Sequence, residues 1–288
     1  MEALRHVRLR PRGAAEGTFA GPHKSHYRGT AVEFADYREY SPGDDIRLMD
    51  WKVLARTDRY YVRLYDAERN LLTYLVVDKS GSMDFAGAVN HTVSKLEYAS
   101  RLAAAIGYLV VREGDELGLS LADTQVHQHL PPAASWPHLN RVLNALGGAR
   151  AEGRTDIGAC LEQIFPRTKR RGVLIVLSDF LDADARFWKS IDLFRRSRFD
   201  VILFQVTHPE ELDLPPVVSA RFLEPEGTGH FNAEPNAIRA LYRQRFDAFL
   251  REVKANCQAR GCDWYLAKTS DDPCSFLRNC FLARENTR

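Results

Sequence analysis

Residues 71–83 read Leu71-Leu72-Thr73-Tyr74-Leu75-Val76-Val77-Asp78-Lys79-Ser80-Gly81-Ser82-Met83. The first seven are almost continuously apolar, interrupted at Thr73, the pattern of a strand covered on both faces of a sheet. The strand leaves the sheet through Asp78, Ser80 and Ser82, one carboxylate and two hydroxyls in a tight turn relaxed at Gly81. A second stretch, Gly172-Val173-Leu174-Ile175-Val176-Leu177-Ser178, repeats the apolar run and is followed at once by Asp179.

Around these two strands, strand and helix patterns alternate. Ser94 and Glu97 form a capping box that opens a helix running to Arg112, with Gly114 placed to end it. Strands are expected at 115–122, 125–130, 200–207 and 263–267, with a further one possible at 220–223. Helices are expected at 136–146, from near Thr155 to before Pro166, and at 183–197, 236–260 and 273–283. The expected fold class is therefore α/β, a doubly wound and mostly parallel sheet with helices on both faces. Such sheets bind ligands at the carboxyl ends of their strands, beside the point where the strand order reverses.

Residues 1–65 differ in texture: they lack helical periodicity and are rich in Gly, Pro, Arg, Asp and Tyr. They read as short strands and ordered loops, with one strand at 60–65. The expected organisation is an N-terminal extension over 1–68, packed on a main domain over 69–288.

Composition narrows the function classes. With 288 residues, 45% of them hydrophobic, the chain can bury a sizeable core. Forty Lys and Arg against 38 Asp and Glu leave a charge of +2, so no strong field favours nucleic acid or an anionic membrane. A local excess lies in the first 31 residues, at Arg5, Arg8, Arg10, Arg12, Lys24 and Arg28, and reads as a solvated arm. No apolar run approaches the ~20 residues that span a bilayer, and no secretory leader is expected. Five cysteines without a CxxC pair point to reduced thiols and a cytoplasmic protein. His127 and His129 share a strand face but have no third ligand nearby in sequence. The run 167–171 reads as a solvated basic loop. The sequence holds no phosphate-binding loop, no dinucleotide fingerprint and no nucleophile elbow, and Ser80 and Ser82 have no evident His base. The chain reads as a binding protein and not as an enzyme.

The chemistry is concentrated at the strand ends. Asp78, Ser80 and Ser82 follow one strand and Asp179 another, while Thr155 lies in the loop Gly153-Arg154-Thr155-Asp156-Ile157-Gly158. Adjacent strands lie about 5 Å apart, so these loops can meet around one small ion. Five hard oxygen groups without His or Cys suit Mg2+ or Mn2+ and not zinc. Any one of these segments reads equally well as ordinary turns and helix caps. Their occurrence together, in this order, favours a metal site.

The set Asp78-x-Ser80-x-Ser82 with Thr155 and Asp179 resembles the metal-ion-dependent adhesion site (MIDAS) of von Willebrand factor A domains. One departure is Ser178-Asp179-Phe180, standing where many A domains carry Thr-Asp-Gly. The stretch Gly29-Thr30-Ala31-Val32-Glu33-Phe34-Ala35-Asp36-Tyr37-Arg38-Glu39-Tyr40-Ser41-Pro42-Gly43-Asp44-Asp45-Ile46-Arg47, followed by Asp50-Trp51 and Ala55-Arg56, sharpens the match. It resembles the signature of the domain-of-unknown-function 58 family, A-domain-like bacterial proteins associated with MoxR-type AAA+ ATPases. The resemblance covers about residues 20–200. It implies a von Willebrand factor A-like fold and a metal held closely by the two serines and the threonine. The two aspartates would act largely through water, and an acidic side chain of a protein partner would complete the shell. It further implies a MoxR-type ATPase as partner, in the assembly or remodelling of protein complexes. The alternative is a magnesium-dependent hydrolase of phosphate esters, with Asp156 or Asp84 as general base. Physically, Ser41-Pro42-Gly43-Asp44 reads as a turn with Pro second and Gly third. Asp44, Asp45, Arg47, Asp50 and Arg56 are expected to form a charge network that holds the extension in place.

Overall fold

The computed structural model describes residues 7–11, 33–66, 71–168, 170–216, 220–223 and 229–286. The chain divides into two compact units, one formed by Met1–Ala14 with Leu71–Arg288 and the other by Ala15–Asn70.

The larger unit is built on six strands: β3 (Leu72–Asp78), β4 (Glu116–Ala122), β5 (Val126–Ala133), β6 (Val173–Ser178), β7 (Asp200–Thr207) and β10 (Asp263–Lys268). Their order across the sheet is β10-β7-β6-β3-β4-β5. All pairs are parallel except β4 with β5. The chain enters the sheet at its centre, winds out to β5, and returns to β6 on the other side of β3. The strand order therefore reverses between β3 and β6, and Asp78 and Asp179 flank that switch point. This is the doubly wound, mostly parallel sheet that the sequence implies. A separate two-stranded ribbon pairs β8 (Ala220–Leu223) with β9 (His230–Ala233).

Two apolar layers cover the sheet. Leu75 and Val77 of β3 face the side packed by α2 (Lys95–Arg112), α3 (Trp136–Gly148) and α8 (Pro273–Asn286). Leu72, Tyr74 and Val76 face the side packed by α4 (Ile157–Ile164), α5 (Ala185–Arg196) and the end of α7 (Pro235–Ala259). This alternation is the two-residue period of a strand with a core on each side. In α2, Tyr98, Leu102, Ile106 and Leu109 recur at helical spacing and are fully buried. Val7 and Leu9 join the α2 side of the core, and Arg112 Nη2 donates to the Val7 carbonyl at 2.8 Å. No helix among the described residues is long and apolar enough to cross a membrane.

Gly172 shows how closely the two central strands approach. A Cβ there would lie 2.2 Å from the Leu72 carbonyl oxygen. Gly172→Ala must push β3 and β6 apart, and is expected to cost about 1–3 kcal/mol, read as a lower midpoint in chemical denaturation.

In the smaller unit, β1 (Glu33–Glu39) pairs antiparallel with β2 (Tyr61–Asp66), with a register shift between Phe34 and Asp36. The expected turn is present: Asp44 N–H donates to the Ser41 carbonyl at 3.0 Å, and Gly43 takes φ +108°. The sequence reading missed α1 (Trp51–Thr57), which is too short to show periodicity. Asp50 caps it, accepting from Lys52 N at 2.9 Å and Val53 N at 3.3 Å, and also accepts from the Tyr37 hydroxyl at 2.8 Å. Asp45 accepts from Arg47 N at 3.0 Å, and Asp44 pairs with Arg38 at 2.8 Å. Asp44, Asp45 and Asp50 thus make turn and cap contacts within this unit.

Elsewhere the elements match the expected ones to within a few residues. β5 runs past Leu130 through Pro131 and Pro132, which an edge strand tolerates. Residues 29–32 of the signature and Arg5, Arg12, Lys24 and Arg28 lie outside the described residues. Cys160, Cys257, Cys262 and Cys280 are buried thiols.

Candidate metal centre

Asp78 ends the central strand β3 and is fully buried. Its Oδ1 accepts from Ser80 N at 2.8 Å, an Asx turn that folds the motif back on itself. The loop is threaded into its neighbours by backbone bonds: Lys79 N to the Ala122 carbonyl at 2.8 Å, Gly81 N to Gly153 at 2.8 Å and Glu152 N to Lys79 at 2.9 Å. The loop around residue 153 is thereby drawn against the motif. Thr155 Oγ1 lies 3.4 and 3.3 Å from the two oxygens of Asp78. Ser80 Oγ and Ser82 Oγ are 3.2 Å apart. Four of the five candidate residues, Asp78, Ser80, Ser82 and Thr155, are joined in this way.

Asp179 is joined to a different set. Lys95 Nζ lies 2.7 Å from its Oδ2 and 2.6 Å from Glu211 Oε1, the latter on the short helix α6 (Pro209–Leu212). Leu181 N donates to Asp179 Oδ1 at 3.2 Å, and Gln205 Nε2 donates to the Asp179 carbonyl at 3.0 Å. Burial first, and then the Asp179 charge, push the pKa of Asp78 up to about 7. Burial alone would lower the pKa of Lys95, but Asp179 and Glu211 outweigh it and hold the ammonium charged.

Sequence reasoning missed Ser178, Lys95 and Glu211. Ser178 Oγ donates to Asp78 Oδ2 at 2.6 Å and accepts from Phe180 N at 3.0 Å. Lys95 lies between Ser94 and Glu97, the two residues of the expected capping box. Ser94 Oγ does accept from Glu97 N at 3.2 Å, but the Glu97 carboxylate pairs with Arg101, so half of the box forms. A cation at a helix N-terminus opposes the helix dipole, and that conflict is the signal that could have found it.

Phe180, at the position where many A domains carry Gly, keeps a left-handed backbone at φ +57°. Glycine adopts that conformation freely, whereas another residue in it costs about 1–3 kcal/mol. Here the ring is buried and packs on Phe187 at 5.5 Å between centroids.

The remaining candidates have other tasks. Asp156 caps α4 by accepting from Ala159 N at 2.8 Å, and it pairs with Arg186 at 3.0 Å. His127 pairs with Asp123 at 2.6 Å, whereas His129 Nδ1 lies 3.0 Å from Ser120 Oγ. Burial would raise the pKa of Asp123, but hydrogen bonds from Lys79, His127 and Gln125 N hold it below the usual carboxylate value. Through the Lys79 bond at 2.9 Å, Asp123 also steadies the motif loop.

Among the described residues no three His, Cys, Asp or Glu side chains come together as a metal cluster. A cation at Asp78 would be held chiefly by hydroxyls. The donor set fits a hard divalent ion: every group is an oxygen, and two buried carboxylates press on one another.

The family described as protein of unknown function DUF58 matches residues 36–255. The chain belongs to the DUF58 family. Uncharacterized protein Rv1480 of Mycobacterium tuberculosis is 33% identical over 275 residues, covering 94% of this DUF58 chain and 85% of that protein. Uncharacterized protein Mb1516 of Mycobacterium bovis matches over the same 275 residues at 33%. Among solved structures, an aerotolerance-related membrane protein from Bacteroides fragilis is similar at TM-score 0.49 and 16% identity, over 76% of this chain and 100% of that one. BatB from Bacteroides thetaiotaomicron is similar at TM-score 0.49 and 13% identity, with the same coverage of 76% and 100%. The SpRpn10 VWA domain is similar at TM-score 0.45 and 10% identity, over 74% of this chain and 95% of that one.

Proposed function

We propose that this DUF58 protein is a non-enzymatic, metal-dependent adaptor that binds protein partners. Asp78, Ser80, Ser82, Thr155 and Asp179 form the site for Mg2+ or Mn2+, with the hydroxyls close to the ion and the two aspartates acting largely through water, and an acidic side chain of the partner completes the shell. The observation that carries this reading is the buried Asp78 carboxylate, gathered with Thr155 and Ser178 and pressed by the like charge of Asp179. When bound, the ion supplies a Lewis-acid position open to an outside carboxylate. The neutral hydroxyls of Ser80, Ser82 and Thr155 position it without quenching its charge, while Asp78 orients the Thr155 hydroxyl.

The phosphate-ester alternative needs a general base. Asp156, one of the two residues named for that part, is held by Ala159 N and Arg186, which favours binding over hydrolysis. The signature over 29–56, like that of family members associated with MoxR-type AAA+ ATPases, supports such an ATPase as the partner. The assembly or remodelling of other complexes in the cytoplasm would then be the shared task. Thr155→Ala is expected to weaken Mg2+-dependent binding to the partner ATPase about tenfold or more, with a melting temperature only a few degrees lower because one hydrogen bond to the buried Asp78 is lost. Biolayer interferometry in Mg2+ and in EDTA reads this directly. Equal binding by wild type and variant in Mg2+ overturns the proposal.

A further inference from the structure

Lys95 is 1% exposed, and its ammonium bridges two carboxylates, Asp179 at 2.7 Å and Glu211 at 2.6 Å. Glu211 is itself fixed, since its second oxygen accepts from His208 N at 2.8 Å. The neighbouring Glu210 accepts from three successive amides, Ala88 N at 2.8 Å, Val89 N at 2.9 Å and Asn90 N at 2.5 Å. These amides belong to the segment that leaves the Asp78 motif and ends at Lys95. α6 therefore pins that segment with one carboxylate and the lysine beyond it with the next. The ammonium is thereby held between the Asp179 and Glu211 carboxylates.

We infer that Lys95 is a positioning residue that keeps Asp179 from direct contact with the metal, so that this carboxylate acts on the ion only through water. Its ammonium occupies one oxygen of the carboxylate that would otherwise neutralise the ion, leaving the ion with Asp78 and neutral hydroxyls. An ion held this way is bound more weakly, and its remaining positive charge draws an outside carboxylate. The inference rests on the metal reading above and adds the device that keeps the site open to a partner. A purely structural ion pair would behave in the opposite way, because its removal would loosen the site and weaken metal binding.

The test is calorimetric titration of Mn2+ into the full chain. The variant K95M/E211Q keeps the net charge of the site, fills the lysine's volume with an apolar chain and frees Asp179. It is expected to bind Mn2+ about tenfold more tightly than wild type, the scale on which a neighbouring charge acts. The single variant Glu211→Gln leaves Lys95 to Asp179 alone and is expected to bind Mn2+ more weakly. It keeps the buried ion pair, and so still tests the inference if the double variant does not fold. Mn2+ binding by K95M/E211Q that equals or falls below wild type, or binding by Glu211→Gln that is unchanged or tighter, overturns the role of Lys95. A wild type that takes up no Mn2+ at millimolar concentration overturns the metal reading itself, and this inference with it.

Discussion

Asp78→Asn is expected to raise the melting temperature of the metal-free protein while abolishing its binding of Mn2+. Asp78 is a fully buried carboxylate whose pKa is pushed up to about 7 by burial and by Asp179. Its hydrogen bonds from Ser80 N, Thr155 and Ser178 offset part of the cost of burying the charge. Asparagine keeps the shape and one acceptor oxygen but carries no charge. The change should stabilise the fold by about 1–3 kcal/mol, roughly 3–10 °C in a domain of this size. Differential scanning fluorimetry in EDTA reads the first effect, and calorimetry the second. A variant that melts lower and still binds Mn2+ would show that Asp78 is a structural cap. A gain in stability bought with loss of binding is expected where a carboxylate is kept for its ligand.

The second large effect lies at the opposite end of the sheet. Arg284, 3% exposed on α8, pairs with Asp200 at the start of β7 and lies 2.8 Å from Asp263 at the start of β10. Both carboxylates are nearly buried. Arg284→Met removes the guanidinium that balances them. Breaking a buried pair from one side costs about 3–5 kcal/mol, because the partner charge stays behind. The melting temperature should fall by roughly 8–15 °C. The triple variant R284M/D200N/D263N should recover most of that loss. Equal melting of wild type and Arg284→Met would show that α8 does not anchor the sheet edge. Because these residues sit at the amino ends of the strands, Mn2+ binding by the folded variant should be unchanged.

The fold was legible because its central strands are simple. Val173–Leu177 is wholly apolar and Leu72–Val77 is interrupted at Thr73 alone, as a sheet covered on both faces requires, and the intervening helices then imply mostly parallel pairing. Asp78, Ser80 and Ser82 were legible for the same reason, since they follow β3, as was Asp179 after β6, whereas Thr155 lies between two helices. What escaped was the long-range part of the site. Lys95 and Asp179 are 84 residues apart, and Lys95 and Glu211 are 116 apart. No local pattern marks such a bridge. Ser178 escaped because a serine before an aspartate at a strand end reads as turn chemistry, although its hydroxyl makes the shortest hydrogen bond described to Asp78. Helix α1 was missed because seven residues hold too few turns to show a face, leaving Asp50 as its sole local signal.

The most direct measurement is a calorimetric titration of Mn2+ into the metal-stripped wild-type protein, paired with Asp78→Asn. One binding site per chain in wild type and none in the variant is the expected result. No binding in either, or equal binding in both, would contradict the assignment of Asp78, Ser80, Ser82, Thr155 and Asp179 as a metal centre.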